Sequence, residues 1–425
     1  MFLAHSAGGA ALPAPPWVLG YLGAFAVLAT ALALRERWTT PRLTGFLGPL
    51  GSPDSTRRGR FDVDSTPTAQ EPAPRLHLGH LVGVALLVLT VVAAIVGPDS
   101  AAANVAPVAV LVIWWVGLPI ACLLAGDVMR AINPFVAMVS LLDRRTHTRD
   151  TTDAPAWTGA AFLAAFAWFF IAYHRPGSPR ALAVFLVAYA IAAVLAGLRW
   201  GRGWLATGEG FGALSAGVAL LSPRRRHTER PPGLAALMVV WIGATTFDAF
   251  TSTPFWADVL GSSQGWSRTL LNTVGIVWLT AIVAAVYLVA LRVADRGDSD
   301  EPTASLREPL GAALVPLALG WFLAHDLSLL LVEGQNFIAL LSDPIGRGWD
   351  LFGTVHQTID YDIVESRLVR WSQLGLLAAG HVVAVPIAHD VALHLVSRRS
   401  AVRATWAIAA AVAVSAVASA LLVLG

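Results

Sequence analysis

Four side chains stand out for the company they keep: Asp248, the adjacent pair His325-Asp326, and His381. Each lies inside a stretch otherwise apolar enough to cross a membrane. An ionisable group survives there only by facing the bundle interior, finding a partner or binding something. Imidazoles combined with carboxylates make a donor set suited to zinc, copper or non-haem iron. One reading is therefore an embedded metal site, with His325 and His381 as ligands and Asp248 or Asp326 as third ligand or general base. A second reading is an interhelical hydrogen-bond network, and a third is a proton or ion path. No H-E-x-x-H, C-x-x-C or H-x-x-x-H spacing occurs, so placement carries the metal reading and no motif does.

A further intramembrane pair, His389-Asp390, follows His381 eight residues on. That is a rise of about 12 Å on a helix, so the two histidines cannot share one ion. His394, close to Arg398, reads as interfacial, and His77 and His80 read as capping or interfacial residues at the start of their span. His5 lies in the N-terminal segment, where a solvated tail is the simpler reading and a third ligand folded over the bundle the sharper one.

Something must position these residues, and the composition says what. The chain has 425 residues, 56% of them hydrophobic and 13% charged, against about a quarter charged in a soluble domain. A bilayer-spanning helix needs roughly 20 mostly apolar residues. Ten stretches qualify: about 17–34, 77–97, 106–126, 156–173, 181–198, 233–250, 269–291, 310–332, 371–395 and 404–424. The expected fold is all-α, a polytopic transmembrane helical bundle forming one membrane domain over residues 1–425. Amphipathic or re-entrant helices are expected at 132–142 and 211–221, lying at the inner surface. Its first partner is the lipid bilayer. The net charge of +2 gives no reason to expect nucleic acid.

Orientation comes from arginine, since the chain has no lysine. With the N-terminus outside, 23 of the 29 arginines fall on the cytoplasmic side and six outside. The positive-inside rule then puts both termini on the extracytoplasmic face of the plasma membrane. In that frame all four residues belong to the outer half. Consecutive helices usually neighbour each other, so His325 and His381 are expected to approach.

The loop at 50–74 is rich in Ser, Thr, Pro and charge and reads as disordered. The connection at 334–370 reads as a structured outer lid. Within it a short interfacial helix is expected at Gln335 to Leu341, ended by the Ser342-Asp343-Pro344 turn. Arg347 is expected to pair with Asp343 or Asp350; His356 and Asp360 read as surface residues, with a reach down toward the embedded site as the alternative. Asp127 and Arg130 are spaced to pair, and Asn133-Pro134 to start a helix. Cys122 reads as a small core residue.

Several of these pieces resemble a family of multi-pass bacterial membrane proteins commonly labelled fenitrothion hydrolase. They are Leu3-Ala4-His5, Gly126-Asp127 through Asn133-Pro134, Ala324-His325, Gly334-Gln335, Ser342-Asp343-Pro344, Gly348-Trp349-Asp350-Leu351-Phe352-Gly353-Thr354, Gly380-His381 and Ala388-His389-Asp390. The resemblance implies hydrolysis of phosphotriesters and a small apolar substrate, but brings no catalytic residues with it. Two other classes compete: a transporter or metal-handling permease that uses the same His and Asp residues on a metal ion, and a structural subunit that needs partner subunits.

Overall fold

A computed structural model describes residues 14–43, 76–143, 154–224, 230–295, 306–361 and 365–424. His5 and the 50–74 loop lie outside them. The described residues form helices and contain no strand, as a bilayer requires of any segment that must satisfy its own backbone.

Among the described residues nine helices are long and apolar enough to span a membrane. They are α1 (Pro16–Arg37), α2 (Leu78–Val96), α3 (Val105–Ala125), α7 (Pro179–Trp200), α10 (Leu234–Thr251), α12 (Gly265–Asp295), α13 (Arg307–Ser342), α14 (Ser366–Leu395) and α15 (Arg398–Leu424). Between them lie α4 (Val128–Ile132), α5 (Pro134–Leu142), α6 (Thr158–Ala172), α8 (Trp204–Thr207), α9 (Gly210–Ala219) and α11 (Pro254–Leu260).

The fourth expected span, α6, is only 15 residues long, yet it runs beside α10 from one end to the other. Before its start, the Ala156 carbonyl abuts Gly233, the residue preceding α10. At its end, the Ala172 carbonyl accepts from the Asn272 amide at 3.4 Å, close to the last turns of α10. Its final five residues are wound as a π-helix.

Caps set the starts of these elements. Pro at the first helical position with Ser, Thr or Asn before it opens α5, α7 and α11. His77 and His80 form a reciprocal capping box at the start of α2. The α4 cap is Asp127, whose Oδ1 accepts from the backbone N–H of Arg130 at 3.1 Å and from Ser215 Oγ at 2.6 Å. Cys122 is buried beside Ser215, with 3.1 Å between Sγ and Oγ. One expectation fails here: every residue of α9 is buried, so this piece is not a surface amphipathic helix. Its cap is the buried Glu209, which accepts from the N–H groups of Phe211 (3.0 Å) and Gly212 (2.8 Å) and from the Tyr189 hydroxyl.

Glycine contacts fix the register around the site. A Cβ on Gly320 of α13 would lie 2.6 Å from the Leu376 carbonyl and 2.8 Å from Gly380 Cα on α14. The backbones therefore touch, the close approach that small residues allow between membrane helices. Gly311 of α13 abuts the Ala235 backbone in the same way, and Gly243 of α10 abuts Thr280 of α12. With His325 meeting Asp248 farther along both helices, α10 and α13 run parallel; Gly275 against Phe247 makes α12 antiparallel to α10, and Gly380 against the Pro316 carbonyl makes α14 antiparallel to α13.

Helix α13 has 36 residues, about 54 Å against a hydrocarbon core of about 30 Å. Its last turns lie along the first half of α3 and reach the end of α2: Gly334 lies beside the Ile113 side chain, and Gly346, just past the helix, abuts Pro98. The separate helix expected at Gln335 to Leu341 is therefore the continuation of α13, since Glu333-Gly334-Gln335 holds no proline to stop it. Gln335 Nε2 donates to the Leu331 and Asp360 carbonyls, both at 2.9 Å. Beyond α13, Asp343 accepts from the backbone N–H groups of Arg347 (2.8 Å) and Gly348 (2.7 Å). The expected Arg347 ion pair is thus replaced by backbone capture. His356 and Asp360 are exposed.

Candidate metal site and its cleft

Asp248 sits one turn before the end of α10, and the parallel register with α13 brings it to His325. His325 Nε2 and Asp248 Oδ2 are 3.0 Å apart. Asp326 joins them: ligand atoms of Asp248, His325 and Asp326 all lie within 4.8 Å of one another. Two bonds of about 2.2 Å to a single ion span at most about 4.4 Å. A side-chain adjustment of a few tenths of an ångström closes any excess.

The donor set fits a divalent transition metal, with one imidazole nitrogen and two carboxylates. A second observation points the same way. Asp326 is buried, and its Oδ1 has no hydrogen-bond partner. A buried acceptor left unmade costs about 1–3 kcal/mol, and more when charged; a cation at this position removes that cost.

His381 is not in this group. Its Nδ1 lies 2.7 Å from the Leu377 carbonyl, and its Nε2 lies 3.2 Å from Ser415 Oγ and 3.5 Å from Ser419 Oγ. It therefore faces α15. The glycine contact gives the reason. Gly320 sits opposite the middle of Leu376–Gly380, so His325, five residues on, is level with about residue 373. His381 lies eight residues deeper, about 12 Å away along the axis. Gln373 occupies the level of His325 instead, buried, with Oε1 lacking a partner.

Access comes from one end of the bundle. A cleft of about 560 Å³ is lined by Asp248 and Asn272, by Leu329, and by the α6–α7 turn from Tyr173 to Pro179. Asp248 keeps 16% of its side chain exposed and His325 7%. Asp248 is therefore the member of the cluster that meets the cleft, with His325 and Asp326 behind it. Asn272 is held in the wall by the Trp256 indole N–H at 3.1 Å.

The sequence reading passed over the rim. His174 and Arg175 of the α6–α7 turn line the cleft together with Arg268 of α12. The available signal was two basic residues in short connections that otherwise carry few. Comparison with known protein families, with curated proteins and with solved structures finds no match to the chain.

Proposed function

We propose that this polytopic membrane protein binds one divalent transition-metal ion at Asp248, His325 and Asp326, and that a small substrate reaches the ion through the cleft. The observation that carries this reading is the convergence of three ligand groups around the unsatisfied Asp326 Oδ1. The arginine asymmetry supports a cleft opening to the extracytoplasmic face, with both termini there too.

The reaction we assign is hydrolysis of an apolar phosphotriester, in keeping with the family resemblance. The bound ion would supply Lewis-acid polarisation of the phosphoryl oxygen and acidify a water. In this scheme His325 and Asp326 hold the ion from the buried side. Asp248, facing the cleft, would bind the ion through one carboxylate oxygen and take the proton of the attacking water with the other. Phe170, Tyr173 and Leu329 give the substrate apolar wall, and a cleft of this volume lies in the range of small-molecule sites.

A permease reading has one observation of its own. Away from the site, polar groups recur between α14 and α15, at His381 with Ser415 and Ser419 and at His389 with Thr405. Metal flux into proteoliposomes without turnover would select it.

The test is metal content of detergent-purified protein beside Asp326→Asn, followed by turnover of a chromogenic phosphotriester. We expect about one ion per chain in the wild type, affinity at least about 100-fold weaker in the variant, and turnover that follows the metal. A wild type that retains no ion after exposure to zinc, iron or copper overturns the proposal.

A further inference from the structure

The cleft has a charged rim that the metal reading leaves unused. Arg175 lies in the α6–α7 turn and Arg268 in the first turn of α12; both are exposed and both line the cleft. Among the described residues neither guanidinium has an ion-pair partner. Two other arginines at this end of the bundle, Arg180 and Arg370, are occupied with carbonyls. Arg180 donates to Ala94 and Gly97 at the end of α2, and Arg370 to Val423 and Leu424 at the end of α15.

The two free guanidiniums are also held in a fixed relation. Thr269 Oγ1 lies 3.0 Å from the backbone nitrogen of His174 and 2.9 Å from its ring Nδ1. Arg175 follows His174 in the chain, and Arg268 precedes Thr269. One polar link therefore ties the backbone of both arginines. Trp266 packs on the same junction, with ring centroids 5.7 Å from Tyr173 and 5.4 Å from His174. Asp99 is the acid that shares this wall.

We infer that Arg175 and Arg268 form an oxyanion subsite that holds a phosphoryl group of the cleft's ligand. Guanidinium forks match tetrahedral phosphoryl oxygens in geometry and charge and keep their charge at any working pH. The group held there is an anionic phosphoryl, separate from the neutral phosphotriester centre that would react beside Asp248. A ligand that uses both spans the cleft, with its anionic end on the two arginines and its ester end toward Asp248. This inference rests on the cleft being the route to the Asp248 cluster. The phosphoryl group has two possible sources, a soluble phosphate compound and a phospholipid headgroup.

The experiment is calorimetric titration of inorganic phosphate into the full chain in phosphatidylcholine nanodiscs at low ionic strength. It compares wild type, Arg175→Gln/Arg268→Gln and Asp326→Asn. We expect saturable binding by wild type, at least about tenfold weaker in the double arginine variant. In Asp326→Asn we expect it unchanged within about twofold, because the metal cluster is a separate set of groups. Retained metal with no phosphate binding by wild type, or equal binding by wild type and the arginine variant, overturns the subsite and leaves the metal reading standing. Phosphate binding with no metal does the reverse. Repeating the titration in phosphatidylglycerol nanodiscs identifies the source. Weakened phosphate binding that the arginine variant does not show supports a competing headgroup, and unchanged binding supports a soluble ligand. Gel filtration and the thermal midpoint establish that the exposed substitutions leave the fold intact.

Discussion

His325-Asp326 on α13 and His389-Asp390 on α14 are the same dipeptide set in two apolar helices, and their surroundings differ. Asp390 is fully buried and accepts from the Trp38 indole N–H (3.0 Å) and from the backbone N–H groups of Arg42 (2.6 Å) and Leu43 (3.1 Å). His389 places one ring nitrogen 2.7 Å from Thr405 Oγ1 and the other 2.9 Å from the Trp38 carbonyl. This pair holds the segment after α1 against the bundle, and its hydrogen-bonding capacity is used. At His325-Asp326 one carboxylate oxygen has no partner, and the neighbouring Asp248 opens to a cleft. Residue type alone does not distinguish the two pairs. Unused bonding capacity does, because a group already saturated by protein has nothing left for a ligand.

The widest gap between the pairs should appear in stability. Asp390→Ala strips the acceptor from three donors at once, and we expect a loss of about 3 kcal/mol or more, read from unfolding in detergent. A loss under about 1 kcal/mol would erase the contrast. Asp326→Asn should do much less, within about 1 kcal/mol of wild type in metal-free protein. Its sign should be stabilising, because a neutral amide replaces a buried carboxylate with an unsatisfied oxygen. If it destabilises as much as Asp390→Ala, the His325-Asp326 pair is also a structural clamp.

The smallest effect is local and tests the same rule outside the membrane. Slight burial raises the Asp343 pKa, but hydrogen bonds from the backbone N–H groups of Arg347, Gly348, Trp349 and Gly346 outweigh it, and the net shift is downward. A carboxyl whose folded pKa is depressed contributes loop stability above its unfolded value, near 3.8. That contribution fades only as pH falls through the lower folded pKa. At neutral pH the Arg347 and Gly348 amides should exchange slowly in wild type and faster in Asp343→Asn, with the rest of the chain unchanged. Equal exchange in both would show that the loop holds without its carboxylate.

The spans were legible because length and apolar content decide them, and Asp248, His325 and Asp326 because charge at membrane depth is costly. What the sequence did not disclose was depth. Placing His381 opposite His325 assumed helix ends at 332 and 371, whereas α13 runs to Ser342 and α14 begins at Ser366. Register is set by Gly320 against Gly380, two residues with no side chain to announce a contact. The burial of α9 was hidden for a related reason: Gly210, Gly212 and Gly217 let neighbours approach, so a short apolar helix packs inside rather than lying on a surface. The nearness of Arg175 and Arg268 was hidden because it depends on the His174–Thr269 link between distant segments.

The Gly320–Gly380 contact makes the spacing of α13 and α14 a tolerance set by two hydrogen atoms. A single methyl at either position acts as a shim, forcing the backbones apart where they now touch and moving His325 and Asp326 with them relative to Asp248. Gly320→Ala would thus leave every ligand in the sequence and still detune the site, at a position with no chemistry of its own.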